Sequence, residues 1–233
     1  TVKLINFAEI DKVAEEAGRK FDFVLADLGV SSMQIDNPER GFTYKVEGPL
    51  DLRLDPTKGV SAAKRLEGIS KEELQYMLIE NSDEPYAYEI AEKIVTGAKR
   101  GKKIETTTQL KEAIEEALMG VREVAKASEK DRKEAVKKSC QRVFQALRID
   151  VNNEYEVLHS LLEKLPDILN PGGRLAILTF HSGEDRLVKK SFKQWKKEGV
   201  YSEVAEDVVR PSAEECNRNP RARSTKMRWA VRA

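Results

Sequence analysis

The spacing of apolar and polar positions changes character three times along the chain, and each change predicts a different kind of structure. In "TVKLINFAEIDKVAEEAG" the pattern predicts a short strand at Val2 to Ile5. A helix follows with Ile10, Val13, Ala14 and Ala17 on one face and Gly18 as its stop. "FDFVLAD" then supplies an unbroken apolar strand, Phe23 to Ala26, of the kind found inside a parallel sheet. Strand, helix, strand is the order of an α/β crossover. Next comes a stretch from Ala26 to Asp55 with neither period, rich in charge, Gly and Pro.

Beyond it the period is helical alone. "SKEELQYMLIEN" opens with Ser70 and Glu73 in capping-box spacing and puts Leu74, Met77 and Leu78 on one stripe. Ile90, Ala91, Ile94 and Val95 repeat the habit, as do Leu110, Ile114, Ala117 and Leu118. The run "REVAKASEKDRKEAVKK" is charged enough to be a solvated helix face or a connector. The α/β pattern then returns. A long helical region carries Val143, Phe144, Leu147 and Val151, then Leu158, Leu161, Leu162 and Leu165. "NPGG" supplies turn chemistry, and "RLAILTF" and the closing "KMRWAV" read as strands. Neither α/β piece alone has enough strands for a sheet, so the order predicts one discontinuous α/β domain, 1–57 and 139–233, interrupted by an all-helical insert, 58–138.

Composition narrows the classes. With 233 residues, 41 basic and 40 acidic, the chain can bury an ordinary core and is no polycation, so any nucleic-acid surface must be local. No apolar run approaches the ~20 residues of a membrane span and no leader opens the chain, which reads as soluble and intracellular. Cys140 and Cys216 match neither a disulfide framework nor a zinc spacing and are taken as structural.

Open α/β sheets bind ligands beyond the carboxyl ends of their strands. That rule selects Asp27, after "FVLA", and "HSGEDR", after "RLAILTF", so Asp27 and His181 are expected to share one crevice. The plainer readings are a turn cap for Asp27 and a backbone-bonded imidazole for His181. The irregular stretch leaves the sheet at the same end. Gly29, Gly41, Gly48, Pro38 and Pro49 favour a fixed path, and long loops in compact domains are usually functional; a charged connector is the alternative. From Arg210 to the end, seven basic residues (Arg210, Arg218, Arg221, Arg223, Lys226, Arg228, Arg232) face two glutamates. Such a segment suits phosphate contacts, or else protects a strand edge.

Four blocks, "DLGVSSMQIDNPERGFTYKVEGPLDLRLD", "FQALRIDVNNE", "LNPGGRLAILTFHSGEDRLVK" and "NPRARSTKMR", run in order across nearly the whole chain. Together they resemble the S-adenosylmethionine-dependent methyltransferases that modify the exocyclic amine of a cytosine in small-subunit ribosomal RNA. The resemblance implies a class I methyltransferase-like doubly wound sheet with an inserted all-helical domain and S-adenosylmethionine as cofactor. It implies small-subunit rRNA or the small ribosomal subunit as partner, no membrane and no metal, and a homodimer is compatible with it. The location it implies is cytoplasmic, or an organelle matrix if an upstream leader was removed. By the same resemblance Phe7 packs near the adenine, Asp27 sits beside the cofactor and Gln34 contacts it. "ERGF", "GPLDLRLD" and "FHSGEDR" surround the target base, with Arg40, Asp51, Arg53, Ser182 and Arg186 as substrate candidates and Asp27 and His181 as catalytic ones. The base must leave its stack, or arrive unpaired, to reach such a pocket.

Two departures qualify the match. Gly183 stands where relatives carry Leu. The family's first strand and glycine-rich turn have no counterpart, so the N-terminal strands of the sheet are expected to be missing. The chain is then a fragment, or is completed by a partner chain, or is a non-catalytic RNA- or ribosome-binding pseudo-methyltransferase. A methyltransferase of small molecules is a further rival.

Overall fold

The structure, a computed structural model, describes all residues from 1 to 233. It divides into two compact units, Thr1–Gly29 with Tyr155–Ala233, and Val30–Glu154. Each has its own apolar core.

The first unit is α/β. A 3₁₀ turn, Phe7–Glu9, leads into α1 (Ile10–Ala17), and Gly18 ends the helix in the left-handed region at φ 61°, its N–H donating to Ala14 and Glu15. Left-handed geometry costs glycine nothing. β1 (Phe21–Asp27) follows. α9 (Glu154–Ile168) leads to β2 (Leu169–Thr179), α10 (Ser182–Lys197), β3 (Tyr201–Val204), α11 (Ala213–Arg218) and β4 (Lys226–Arg232). The sheet is mixed, in the order β1-β2-β4-β3: β1 and β2 are parallel, and β4 is antiparallel to both its neighbours.

Three expectations change here. Val2 to Ile5 form no strand; Val2 and Leu4 are fully exposed, so their alternation buries nothing. β1 is an edge strand, not an interior one. Val24 and Ala26 pack on the core while Phe23 and Leu25, on the other face, stay 58 % and 56 % exposed. "NPGG" is a bulge in β2 rather than a turn before it, since the register skips from Phe21↔Leu169 to Phe23↔Arg174. A side chain at Gly173 would meet the Asn170 carbonyl at 2.7 Å, and Gly172 has φ 75°. Leu158, Leu161, Leu165, Leu175, Ile177, Val188 and Phe192 form the core between helices and sheet.

The second unit is helical. It comprises α2 (Ser32–Asp36), α3 (Ala62–Gly68), α4 (Lys71–Ser82), α5 (Ala87–Lys99), α6 (Thr107–Met119), α7 (Arg122–Lys126) and α8 (Glu129–Asn152). The stripes read from the sequence are the buried ones: Leu74, Met77 and Leu78; Ile90, Ala91, Ile94 and Val95; Leu110, Ile114, Ala117 and Leu118. Ser70 caps α4 as expected, accepting from the Glu73 N–H at 3.1 Å, but the Glu73 carboxylate takes Arg65 at 2.5 Å instead of closing the box. The charged run is α7 and the first half of α8, so residue 138 lies inside one continuous helix. Cys140 is wholly buried, and burial pushes its thiol up to about 12, leaving it inert.

Candidate functional site

The α/β unit brings Asp27 and His181 to the same rim of the sheet. Asp27 is the last residue of β1 and stands opposite Leu178, and the Leu28 N–H donates to the Leu178 carbonyl at 3.2 Å. β2 ends one residue later, and Phe180 and His181 lead directly into α10. Two parallel neighbours therefore release their chains side by side. The Asp27 side chain is exposed and makes no hydrogen bond or ion pair. It is a free acceptor.

His181 is differently employed. It is the N-cap of α10, its Nδ1 accepting from the Glu184 N–H at 3.4 Å, while its Nε2 lies 3.2 Å from the Glu184 carboxylate. Both ring nitrogens thus face Glu184, a buried carboxylate whose other oxygen accepts from the Phe180 N–H at 2.8 Å. His-x-x-Glu copies the spacing of a capping box, a signal that could have been read in advance. Ser182 and Arg186 follow on the first turns of α10, both exposed. Gly183 leaves room for Tyr155: a Cβ there would lie 1.8 Å from the Tyr155 hydroxyl. Behind this turn Asp185 binds the buried Arg228 (2.7 Å to Nε) and Lys226 (3.6 Å). Burial acts to raise the Asp185 pKa, but the hydrogen bond and charge of Arg228, with Lys226, outweigh it and hold the carboxyl below its ordinary value. Phe7, in the turn before α1, is 40 % exposed.

The remaining candidates, Gln34, Arg40, Asp51 and Arg53, belong to the helical unit. The stretch that carries them is a built object. It contains α2 and a 3₁₀ turn, Pro38–Arg40, where the sequence pattern shows no regular period. Asp51 and Arg53 form a two-pronged pair, with both oxygen–nitrogen distances 2.7 Å. The Arg53 hydrogen bond, opposed by burial, holds the Asp51 carboxyl below its ordinary value. Arg40 donates to the carbonyls of Arg53 and Leu54, each at 2.9 Å. Between the paired residues Leu52 is buried at φ 64°, a conformation side chains rarely adopt. Asn152 at the end of α8 secures it, donating to the Leu52 carbonyl at 2.8 Å and accepting from the Leu54 N–H at 2.7 Å. Asn152 lies in one of the four sequence blocks, yet nothing in its own spacing announces this duty. Gln34 closes a capping box with Ser31, its Oε1 accepting from the Ser31 N–H at 2.8 Å. Its amide NH₂ is left to donate. A hollow of about 140 Å³ in this unit, lined by Ala63, Leu66, Ile94 and Ala98 among others, contains none of the candidates.

The fold is α/β, with Asp27 and His181 at the carboxyl ends of two adjacent parallel strands. The chain belongs to the MraW methylase family, whose model matches residues 1–233. It is 67 % identical over 233 residues to the ribosomal RNA small subunit methyltransferase H 1 of Lachnoclostridium phytofermentans, covering all of this chain and 62 % of that protein. It is 62 % identical over 233 residues to the enzyme of the same name from Agathobacter rectalis, covering all of this chain and 65 % of that protein. With the ribosomal RNA small subunit methyltransferase H of Thioalkalivibrio sulfidiphilus it shares 38 % over 244 residues, 97 % of this chain and 74 % of the relative. The chain therefore spans a little under two thirds of the length of the two more similar relatives.

Proposed function

We propose that this chain carries the acceptor side of a methyltransferase that moves a methyl group from S-adenosylmethionine to the exocyclic amine of a cytosine in small-subunit ribosomal RNA. The carrying observation is the free carboxylate of Asp27 on the rim that β1 and β2 share. The names of the relatives support the substrate class. In this reading the sheet is the class I methyltransferase sheet, and the helical residues are an insert within it.

The residues present suit such a cofactor. In the α/β unit Phe7 offers an exposed ring for an adenine and Asp27 an unpaired acceptor; the helical unit, taken by itself, offers the amide donor of Gln34. When bound, S-adenosylmethionine supplies an electrophilic methyl group on a sulfonium. The cytosine amine is a weak nucleophile because its lone pair is shared with the ring. Asp27, accepting from an amine N–H, draws density back to that nitrogen and aims it, and it receives the proton released on transfer. His181, capping α10 through its Nδ1, fixes the first turn of that helix and so places Ser182 and Arg186 toward the substrate. The Arg40–Asp51–Arg53 cluster presents a rigid, hydrogen-bonded surface to the RNA.

In this reading the protein works in the cytoplasm, with small-subunit rRNA, free or in the subunit, as partner; sedimentation with and without RNA decides between monomer and homodimer. The test is calorimetric titration with S-adenosylmethionine, followed by mass spectrometry of RNA from small subunits incubated with the chain. Asp27→Asn should cut methylation about 100-fold and leave RNA affinity unchanged. RNA binding with no heat from the cofactor would replace this reading with that of a binding-only protein.

A further inference from the structure

We propose that the turn preceding β4, through Arg223, joins Arg210 and Lys226 in a basic ridge that grips the sugar–phosphate backbone of a single-stranded RNA beside the Asp27 rim. The inference rests on the reading of RNA as substrate and names the surface that would hold it.

The ridge follows from register. β4 is antiparallel to β2, and its first residue, Lys226, pairs with Thr179, the last residue of β2. The Thr179 hydroxyl donates to the Lys226 carbonyl at 3.3 Å, which fixes that pairing. The start of β4 is thus on the rim where β1 and β2 end. The 3₁₀ turn Pro220–Ser224 immediately before it is delivered to the same place, with Arg221 and Arg223 exposed. On the other side of β4, Val209 exchanges two hydrogen bonds with Met227, 3.0 and 2.9 Å, bringing the exposed Arg210 next to Lys226.

The seven basic residues of this segment are not equivalent. Arg228 is buried on Asp185. Arg232 donates to the carbonyls of Pro166 and Val200, and Arg218 pairs with Glu214 at 2.7 Å. Those three are structural or neutralised, and Arg221 has a partner of its own, which leaves Arg210, Arg223 and Lys226 to form the ridge. Asp185, already bound to Arg228, offsets only one of the two cations it touches, so positive charge remains at the rim through Lys226. Arginines on a short turn suit phosphate oxygens, which fix position and not sequence. Aromatic side chains for stacking are absent from the turn itself, so the contact is to the backbone.

The probe is a fluorescein-labelled oligo(rC) strand titrated with the chain at several salt concentrations. Arg210→Ala and Arg223→Ala should each weaken binding several-fold and lower the slope of log affinity against log salt by about 0.7 per lost contact. Lys197→Ala, at the far end of α10, is the control and should match the wild type. Arg223→Lys should restore most of the slope, which a merely structural role would not predict. Salt-dependent binding by the wild type with both arginine variants unchanged would overturn the ridge and leave the RNA reading intact. No binding by the wild type would overturn both.

Discussion

Single side chains do most of the legible work at the candidate site. Asp27 was visible because an aspartate ending an apolar strand is rare outside ligand rims and turns, and the structure places it at a rim. The employment of His181 by Glu184 was carried only in their His-x-x-Glu spacing, which the chemistry of the imidazole overshadowed. Its type and position suggested chemistry, whereas both its ring nitrogens face the residue three positions on. Asp51 gives a pH test. Its carboxyl is held below the ordinary 3.8 by Arg53, so the pair stabilises above that pH and the contribution is lost as pH falls through the lowered value. Asp51→Asn should cost about 1–2 kcal/mol near neutrality. Thermal melts should show the gap from wild type closing below about pH 4; a gap constant with pH would assign the loss to packing.

Among elements, the amphipathic helices were read almost residue by residue because burial repeats every 3.6 positions whatever the neighbours are. Strands were harder. An apolar run announces that a strand can be buried, but not which strand lies beside it. Hence β1 was expected inside the sheet and stands at its edge, β4 runs antiparallel, and the four-residue β3 went unseen. The irregular stretch was the reverse case. Its glycines and prolines implied a fixed path, and the structure shows why: a Cβ on Gly48 would lie 2.1 Å from the Pro38 carbonyl, and one on Gly41 2.4 Å from that of Pro49. Backbone meets backbone at both points. Gly48→Ala should therefore destabilise the helical unit by roughly 1–3 kcal/mol, seen in chemical denaturation followed through hydrogen exchange of α6, whose Thr107 N–H donates to the Gly48 carbonyl.

The whole molecule is nearly neutral, with its basic residues gathered in local runs, so association with a polyanion depends on where such a run is folded and not on bulk charge. Its least protected feature is the edge of β1, where Phe23 and Leu25 face solvent beside an unpaired ladder. Such edges template pairing with other chains. Leu25→Lys should reduce concentration-dependent light scattering while shifting stability by no more than about 0.5 kcal/mol; unchanged scattering would locate self-association elsewhere. The same strand also bears on biosynthesis. β1 leaves the ribosome well before β2, the strand it pairs with, which begins at residue 169, after the entire helical unit has been made. During elongation the helices can settle on local contacts, while the seam between β1 and β2 waits unzipped, a window in which a chaperone would find that seam open.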